Sequence, residues 1–306
     1  MAQAGGSGEE DFIAALRAIA TDPGARGLRD DAAELRLPGT ALIVTHDMMV
    51  EGIHWLPAQD AADVAWKLVA ANLSDLAAKG AEPRALLLGY MLGDAAWDAR
   101  FLAGLDEATR HFGAPLLGGD TVSTPAGSAR SIGLTAIGRP IVDPAPSRTG
   151  AQAGQALWVT GVLGAALAGF EAMQAGSANE RITRPYRRPE PRLAEGLALA
   201  PIAGAMMDVS DGLLLDARRM ALASGTTIAI DTAAVPVCPA LADRAVEAMT
   251  WGDDYELLFT LPEGTAPPIP ASRIGTVRAR GEHPLLLNGA PPAADLTLGY
   301  AHARGR

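Results

Sequence analysis

The segment Met207–Gly212, with the sequence Met-Asp-Val-Ser-Asp-Gly, constrains the fold of this chain more than any other. It ends a short apolar stretch and precedes a run with helical periodicity, 213–224, which Gly225 closes. Carboxylates at a strand-to-helix junction favour a bound cation such as Mg²⁺, and the N–H groups that open a helix favour a phosphate. The segment predicts a magnesium-phosphate site, although an ordinary N-cap at Ser210 or Asp211 explains the same residues.

Similar acidic turns recur along the chain. Asp47 follows a predicted buried strand, 41–44, and Asp120 follows two glycines that would let the backbone approach a phosphate. Asp75 lies in a predicted apolar helix, 60–79, with Lys67 and Lys79 as candidate partners. Because open α/β sheets bind ligands at the carboxyl ends of their strands, such turns are suited to forming one site. The acidic turns contain Asp30, Asp31, Asp47, Asp75, Asp120, Asp208, Asp211, Asp253 and Asp254.

The order of predicted elements indicates an α/β fold with two domains. Strands and helices occur on both sides of a proline-rich segment, 143–147, and 306 residues suffice for two domains. We predict an N-terminal domain over 1–143 and a C-terminal domain over 144–306. The remaining predicted elements are helices over 96–112, 165–175, 213–224 and 241–249 and strands over 84–92, 131–139, 156–160, 227–231, 255–261 and 274–277.

Three further segments have distinct patterns. Residues 1–10 have a disordered composition, and 11–20 have the periodicity of a short helix. The Arg- and Pro-rich segment 181–192 is typical of a solvated connection, with phosphate binding as the alternative.

Composition excludes several classes of protein. The net charge of −10 argues against a nucleic-acid surface, and the apolar runs are too short to span a bilayer. No secretory signal is evident, so we expect a cytoplasmic protein. Cys238 is the only cysteine, which excludes an intrachain disulfide, and the five histidines lack zinc-ligand spacing.

The acidic residues therefore favour Mg²⁺ with a polyphosphate such as ATP. A Walker A sequence is absent, as are the His-Arg-Asp and Asp-Phe-Gly signatures of protein kinases. Phosphoryl transfer suits such a site, since the protein's part is mainly positioning and charge neutralisation.

The acidic turns and their flanking residues resemble the thiamine-monophosphate kinase family over nearly the whole chain. The resembling segments are 30–33, 45–55, Lys67, 72–83, 118–121, 148–151, 158–161, 208–213 and 252–257. The resemblance implies a two-domain α/β fold shared with aminoimidazole ribonucleotide synthetase. In that fold, the N-terminal mixed sheets of two subunits pair into a barrel at a homodimer interface, and the C-terminal domain is an α/β sandwich.

The resemblance also implies the reaction and its residues. ATP would phosphorylate thiamine monophosphate to thiamine diphosphate with several Mg²⁺ ions, without a general base. The implied metal ligands are Asp31, Thr45, His46, Asp47, Asp75, Asp120, Asp208 and Asp211. His46 would contribute either its side chain or only its backbone. Gly119, Asp120, Arg148 and Ser210 would contact ATP, and His54 and Asp253 would face thiamine monophosphate.

Three residues depart from the family pattern, and a fourth position has only a candidate match. His46 stands where Ser or Thr is usual, and Ala165 where Asp is common. Trp251 replaces a glycine, which predicts a shifted loop if that position needs φ > 0. Tyr300 is the candidate for an aromatic residue expected to stack on thiamine. The alternatives are another ATP-dependent synthetase of the same superfamily and a catalytically silent nucleotide-binding dimer.

Overall fold

A helix that is buried along its whole length, α1 (Ala61–Ala78), lies between two β-sheets. The computed structural model that shows this arrangement describes residues 23–37, 39–125 and 127–301. The carboxylate of Asp60 caps the helix by accepting the Ala62 N–H at 3.0 Å, and Gly80 follows its end with φ of 55°. A helix that is apolar on nearly every side can be stable only when both sides are covered, and here the two sheets cover it.

The N-terminal sheet has the strand order β1-β2-β5-β3-β4. Its strands are β1 (Ala33–Leu37), β2 (Thr40–Val50), β3 (Ala81–Met91), β4 (Leu116–Val122) and β5 (Ser131–Pro140). All neighbouring pairs are antiparallel except β3 with β4. Helices α1 and α2 (Ala95–His111) pack on one face, to which alternate residues of β2 such as Ile43 and Thr45 turn. The other face leaves Met48 and Leu87 exposed.

The C-terminal sheet has the strand order β11-β8-β10-β6-β9-β7. Its strands are β6 (Ala156–Val159), β7 (Met206–Val209), β8 (Thr227–Ile230), β9 (Glu256–Leu261), β10 (Ser272–Arg278) and β11 (Leu285–Leu287). The helices of this half are α3 (Ala165–Gln174), α4 (Glu180–Arg187), α5 (Leu193–Leu199), α6 (Leu213–Ser224) and α7 (Ala245–Thr250). Helix α6 packs on the sheet through apolar residues such as Leu214 and Met220. Strand β7 leads directly into α6, so the connecting residues Asp208–Gly212 lie at the end of the sheet that adjoins α1.

The predicted two-domain α/β fold is confirmed. Helix α6 has the predicted bounds, and α1 and α2 differ from the prediction by one residue at each end. The helix predicted over 241–249 is instead a 3₁₀ segment, Pro239–Arg244, followed by the short α7. The short strands β1 and β11 were not predicted. The boundary between 143 and 144 stays a prediction, and the segments 1–10 and 11–20 lie outside the described residues.

The prediction of a solvated connection over 181–192 is wrong. Helix α4 occupies its first part, and Arg187 and Arg188 both contact the buried carboxylate of Asp63 on α1. A carboxylate in an apolar helix needs a cation, and these arginines supply it from 124 and 125 residues away in the chain. Within the described residues, no helix is both long and apolar enough to cross a membrane.

Candidate active site

Three carboxylates converge where α1 meets the ends of the two sheets. One carboxylate oxygen each from Asp31, Asp75 and Asp208 lies within 4.8 Å of the others. Asp75 accepts a short hydrogen bond from the Thr45 hydroxyl, and the Ser74 hydroxyl donates to Asp208 at 2.8 Å. The same helix fixes the nearby strand, because the Asn72 amide oxygen accepts the N–H of Asp47 at 3.1 Å. Asn72 and Asp75, three residues apart on one face of α1, thus organise the site.

The pKa values of three carboxyl groups at this site are raised, because the groups are buried and lie close to one another. Burial, together with the charge of Asp211, raises the pKa of Asp47 to about 6. Burial raises the pKa of Asp208 to about 7, with Asp216 and Asp47 adding to the shift. Burial and the neighbouring carboxylates raise the pKa of Asp75 well above its usual value. Such a site favours a bound cation, and its hard oxygen donors suit Mg²⁺.

Basic side chains surround the cluster on the side of Asp30 and Asp31. The fully buried Lys79 places Nζ 2.6 Å from Asp30 Oδ1 and 2.7 Å from Asp31 Oδ2. Arg148 also contacts Asp31, and Arg26 contacts Asp30. Although burial works in the opposite direction, Lys79 and Arg26 lower the pKa of Asp30 to about 2. Lys79 therefore bonds to Asp30 and Asp31 rather than to Asp75, the partner considered from the sequence.

The turn between β7 and α6 is held by residues that sequence reasoning missed. The fully buried Asp216 accepts the N–H groups of Ser210 at 3.2 Å and Asp211 at 3.1 Å. Arg219 contacts Asp216 at 3.0 Å and also contacts Asp211. The N-cap position is Gly212, with φ of 112° and no side-chain cap, so the interpretation of Ser210 or Asp211 as an ordinary N-cap is wrong. The signal in the sequence was an acid in the first turn of α6 with a base three residues later.

A cleft of about 320 Å³ opens beside the acid cluster. Seven of the predicted site residues line it: Asp47, His54, Asp75, Asp208, Ser210, Asp211 and Asp253. On its other wall, Lys67 of α1 donates to Asp253 Oδ2 at 2.7 Å and to the His54 carbonyl oxygen at 3.0 Å. The Tyr255 hydroxyl lies 3.1 Å from Asp253 Oδ1. Lys67, which belongs to the N-terminal half, thus fixes the two predicted substrate contacts relative to each other.

Three predicted residues lie away from the cleft. The His46 ring is on the opposite face of β2 from Thr45 and Asp47, and its Nδ1 lies 2.9 Å from Thr135 Oγ1, so the side chain does not face the acids. Across the sheet, Asp47 on β2 is opposite Leu134 on β5, Leu134 is opposite Leu88 on β3, and Leu88 is opposite Gly119 on β4. Three strand spacings amount to roughly 14 Å, which places Gly119 and its neighbour Asp120 at the far edge of the sheet.

Trp251, directly after α7, does not have the positive φ on which the predicted loop shift depends. Trp251 has a right-handed helical backbone with φ of −73°, whereas Gly252 has φ of 96°. A Cβ atom on Gly252 would lie 2.4 Å from the Ser210 carbonyl oxygen, so the glycine that this loop requires is retained. Asp254 is turned away from the acid cluster, and its Oδ1 accepts the Gly164 N–H at 2.9 Å at the start of α3.

Two family models together match most of the chain. Residues 29–139 match the family model of the AIR synthase related protein N-terminal domain, and 152–284 match that of the C-terminal domain. The chain is 40% identical over 280 residues to thiamine-monophosphate kinase of Caulobacter vibrioides, with 84% of this chain and 78% of the relative covered. Its identity to the Escherichia coli K12 enzyme of that name is 38% over 255 residues, covering 78% and 76%.

A solved structure covers still more of the chain. The structure described as AaThiL complexed with AMPPCP and TMP superposes with a TM-score of 0.85 at 26% identity, covering 96% of this chain and 97% of that one.

Proposed function

The chain belongs to the AIR synthase related family and, within it, to the thiamine-monophosphate kinases, and we propose that it transfers the γ-phosphoryl group of ATP to the phosphate of thiamine monophosphate. The observation that carries the proposal is the cluster of Asp31, Asp75 and Asp208 beside a cleft lined by His54 and Asp253. A structural relative that covers nearly the whole chain was solved with AMPPCP and TMP together. Two anionic substrates need a site that binds several cations, and this cluster has the ligands for them.

The residues present fit Mg²⁺. Oxygen donors of the kind it prefers are crowded and buried, with pKa values raised to about 6 and about 7 at Asp47 and Asp208. Bound Mg²⁺ would neutralise charge on the phosphoryl oxygens. We assign the ions to these side chains: Asp31, Thr45, Asp47, Asp75, Asp208 and Asp211.

The remaining steps fall to other residues of the chain. Arg148 lies beside Asp31 and supplies a guanidinium for the ATP phosphates. Ser210, whose backbone Asp216 holds in place, lines the cleft next to the acids. His54 and Asp253, joined by Lys67, orient thiamine monophosphate. The acceptor phosphate is already an anionic nucleophile at neutral pH, so positioning for direct in-line transfer is sufficient without a general base.

We further propose that a homodimer completes the site. Strand β4 is exposed along its whole length, and Leu117 is 70% exposed. At the opposite side of the sheet, β1 pairs with β2 only as far as Val44, so among the described strands none covers 45–50 on that edge. Closing two sheets into a barrel brings β4 of one subunit beside β2 of the other, and with it Asp120 towards Asp47.

Subunit mixing tests the dimer. Asp120→Asn and Asp208→Asn homodimers are each expected to be inactive. If Asp120 acts across the interface, a heterodimer of the two variants has one intact site, and mixing restores roughly a quarter of wild-type activity. A mixture that exchanges subunits yet stays inactive would place Asp120 in its own subunit's site.

The reaction itself is tested with purified protein, ATP, Mg²⁺ and thiamine monophosphate, with chromatography to detect thiamine diphosphate. Product that disappears with EDTA is the expected result. Turnover with other phosphorylated small molecules but not with thiamine monophosphate would favour the other-synthetase alternative. Mg²⁺-dependent ATP binding without any turnover would favour the silent nucleotide-binding dimer.

A further inference from the structure

Trp251 is the most exposed of the five tryptophans, with 36% of its surface accessible, and it lines the cleft near Asp253. Large aromatic side chains are usually buried in a core, as Trp55 and Trp66 are here. An exposed indole in the wall of a polar, acidic cleft is therefore available to a ligand.

The indole is held in place from behind. Its ring centroid lies 4.9 Å from that of Phe170 on α3, with 37° between the ring planes. Phe170 packs edge-on against Tyr186 at 5.3 Å, and Lys67 Nζ lies 4.0 Å from the Tyr186 centroid. This row of rings ends at the ion pair between Lys67 and Asp253. The indole of Trp251 is therefore packed together with Asp253, which is predicted to contact the substrate.

Thiamine monophosphate joins an aminopyrimidine and a positively charged thiazolium to its phosphate. The face of an indole is the strongest cation–π partner among protein side chains, and it also stacks on neutral aromatic rings. Asp47, Asp208, Asp211 and Asp253 line the same cleft and favour a ligand with a cationic part. The exposed side chains of Ile53 and Met48 add apolar surface to that cleft.

We propose that Trp251 is a specificity-determining residue that stacks on the aromatic part of thiamine monophosphate. The inference rests on the proposed kinase function. The proposed stacking residue is Trp251, which directly follows α7, and its role does not require Tyr300 to stack as well. The phosphate of the same substrate then extends toward the acid cluster, and Trp251 contributes to binding of the acceptor rather than of ATP.

Trp251→Leu tests this role because it keeps apolar contact with Phe170 and removes the aromatic face. We expect the KM for thiamine monophosphate to rise about tenfold, with the KM for ATP within twofold of wild type. Trp251→Phe retains a ring and should raise the KM for thiamine monophosphate only about two- to threefold. Trp97→Leu is the matched control, since Trp97 packs on Phe101 and Arg130 outside the cleft lining and should leave both KM values unchanged.

Fluorescence separates stacking from a structural effect. Titration with thiamine monophosphate without nucleotide should quench tryptophan emission in the wild type and in Trp97→Leu, but not in Trp251→Leu. If Trp251→Leu does not fold, lost quenching in an active Trp251→Phe variant still supports stacking. Unchanged KM and quenching in folded Trp251 variants would overturn the inference, while wild-type turnover of thiamine monophosphate would leave the proposed function intact. Absence of that turnover in the wild type would instead overturn the proposed function.

Discussion

Replacing Lys67 by Met removes a buried charge while keeping most of the side chain's length. The Lys67 side chain is fully buried, and the side chain of its partner Asp253 is 27% exposed. Removing one member of a fully buried ion pair costs about 3–5 kcal/mol, whereas exposed pairs contribute at most about 1 kcal/mol. Discounting for the exposure of Asp253, we expect the free energy of unfolding to fall by about 2–3 kcal/mol.

Calorimetry measures this loss. The corresponding decrease in Tm is roughly 3–5 °C for a chain of 306 residues. Arg273→Met is a matched control, because Arg273 pairs with Glu263 on the surface with both side chains exposed, and its loss should leave Tm unchanged. In kinetics, Lys67→Met should raise the KM for thiamine monophosphate more than the KM for ATP, because His54 and Asp253 lose their common support.

A double-mutant cycle gives the decisive result. Asp253→Asn leaves the Lys67 ammonium buried without its counter-ion, so this single change is also expected to destabilise the fold. Combining it with Lys67→Met removes both charges, and the double variant should be about 2 kcal/mol more stable than the sum of the single effects predicts. Additivity within about 0.5 kcal/mol would refute the reasoning that the two charges stabilise each other.

Three further predictions concern the acid cluster and its loops. Asp208→Asn should abolish turnover and weaken Mg²⁺-dependent ATP binding, while its Tm should stay within a few degrees of the wild-type value. Near-normal activity would show that Asp208 is not a metal ligand. Because the folded-state pKa values of Asp47 and Asp208, about 6 and about 7, exceed the usual 3.8, their stabilising contribution is complete below about pH 4 and is lost as pH rises through 7. In EDTA, these two groups should therefore lower the Tm as pH rises from about 4 to 7, and this decline should be weaker in Asp208→Asn. An equal slope in both proteins would contradict the assignment. Gly252→Ala should destabilise the fold by about 2 kcal/mol or more and lower turnover, since its Cβ would clash with the Ser210 carbonyl at 2.4 Å. Gly225→Ala, with φ of 66° and open space around it, should cost only about 1 kcal/mol and leave activity unchanged.

The sequence by itself determined several local elements and the acidic character of the candidate site. Helix α6 was predicted with correct bounds because its apolar periodicity and the closing Gly225 are local signals. The acidic turns at Asp47 and Asp208 were recognised because open α/β sheets bind ligands at the carboxyl ends of their strands, where these acids stand. The strand predicted over 41–44 is too short, because β2 continues to Val50, so the sequence did not predict that His46 and Asp47 lie on opposite faces of a strand.

Only the tertiary structure decided which charges meet. Lys79 bonds to Asp30 and Asp31, and Asp63 is neutralised by Arg187 and Arg188 from more than 120 residues away. A local sequence pattern shows that a buried charge needs a partner of opposite charge, but it does not show which residue that partner is. The partner depends on how the two sheets pack against α1. For the same reason, the motif containing Asp120 showed no sign of lying at the far edge of the sheet. The sequence supplied the candidate ligands of the site, and the packing of two sheets around one buried helix decided how these side chains are arranged.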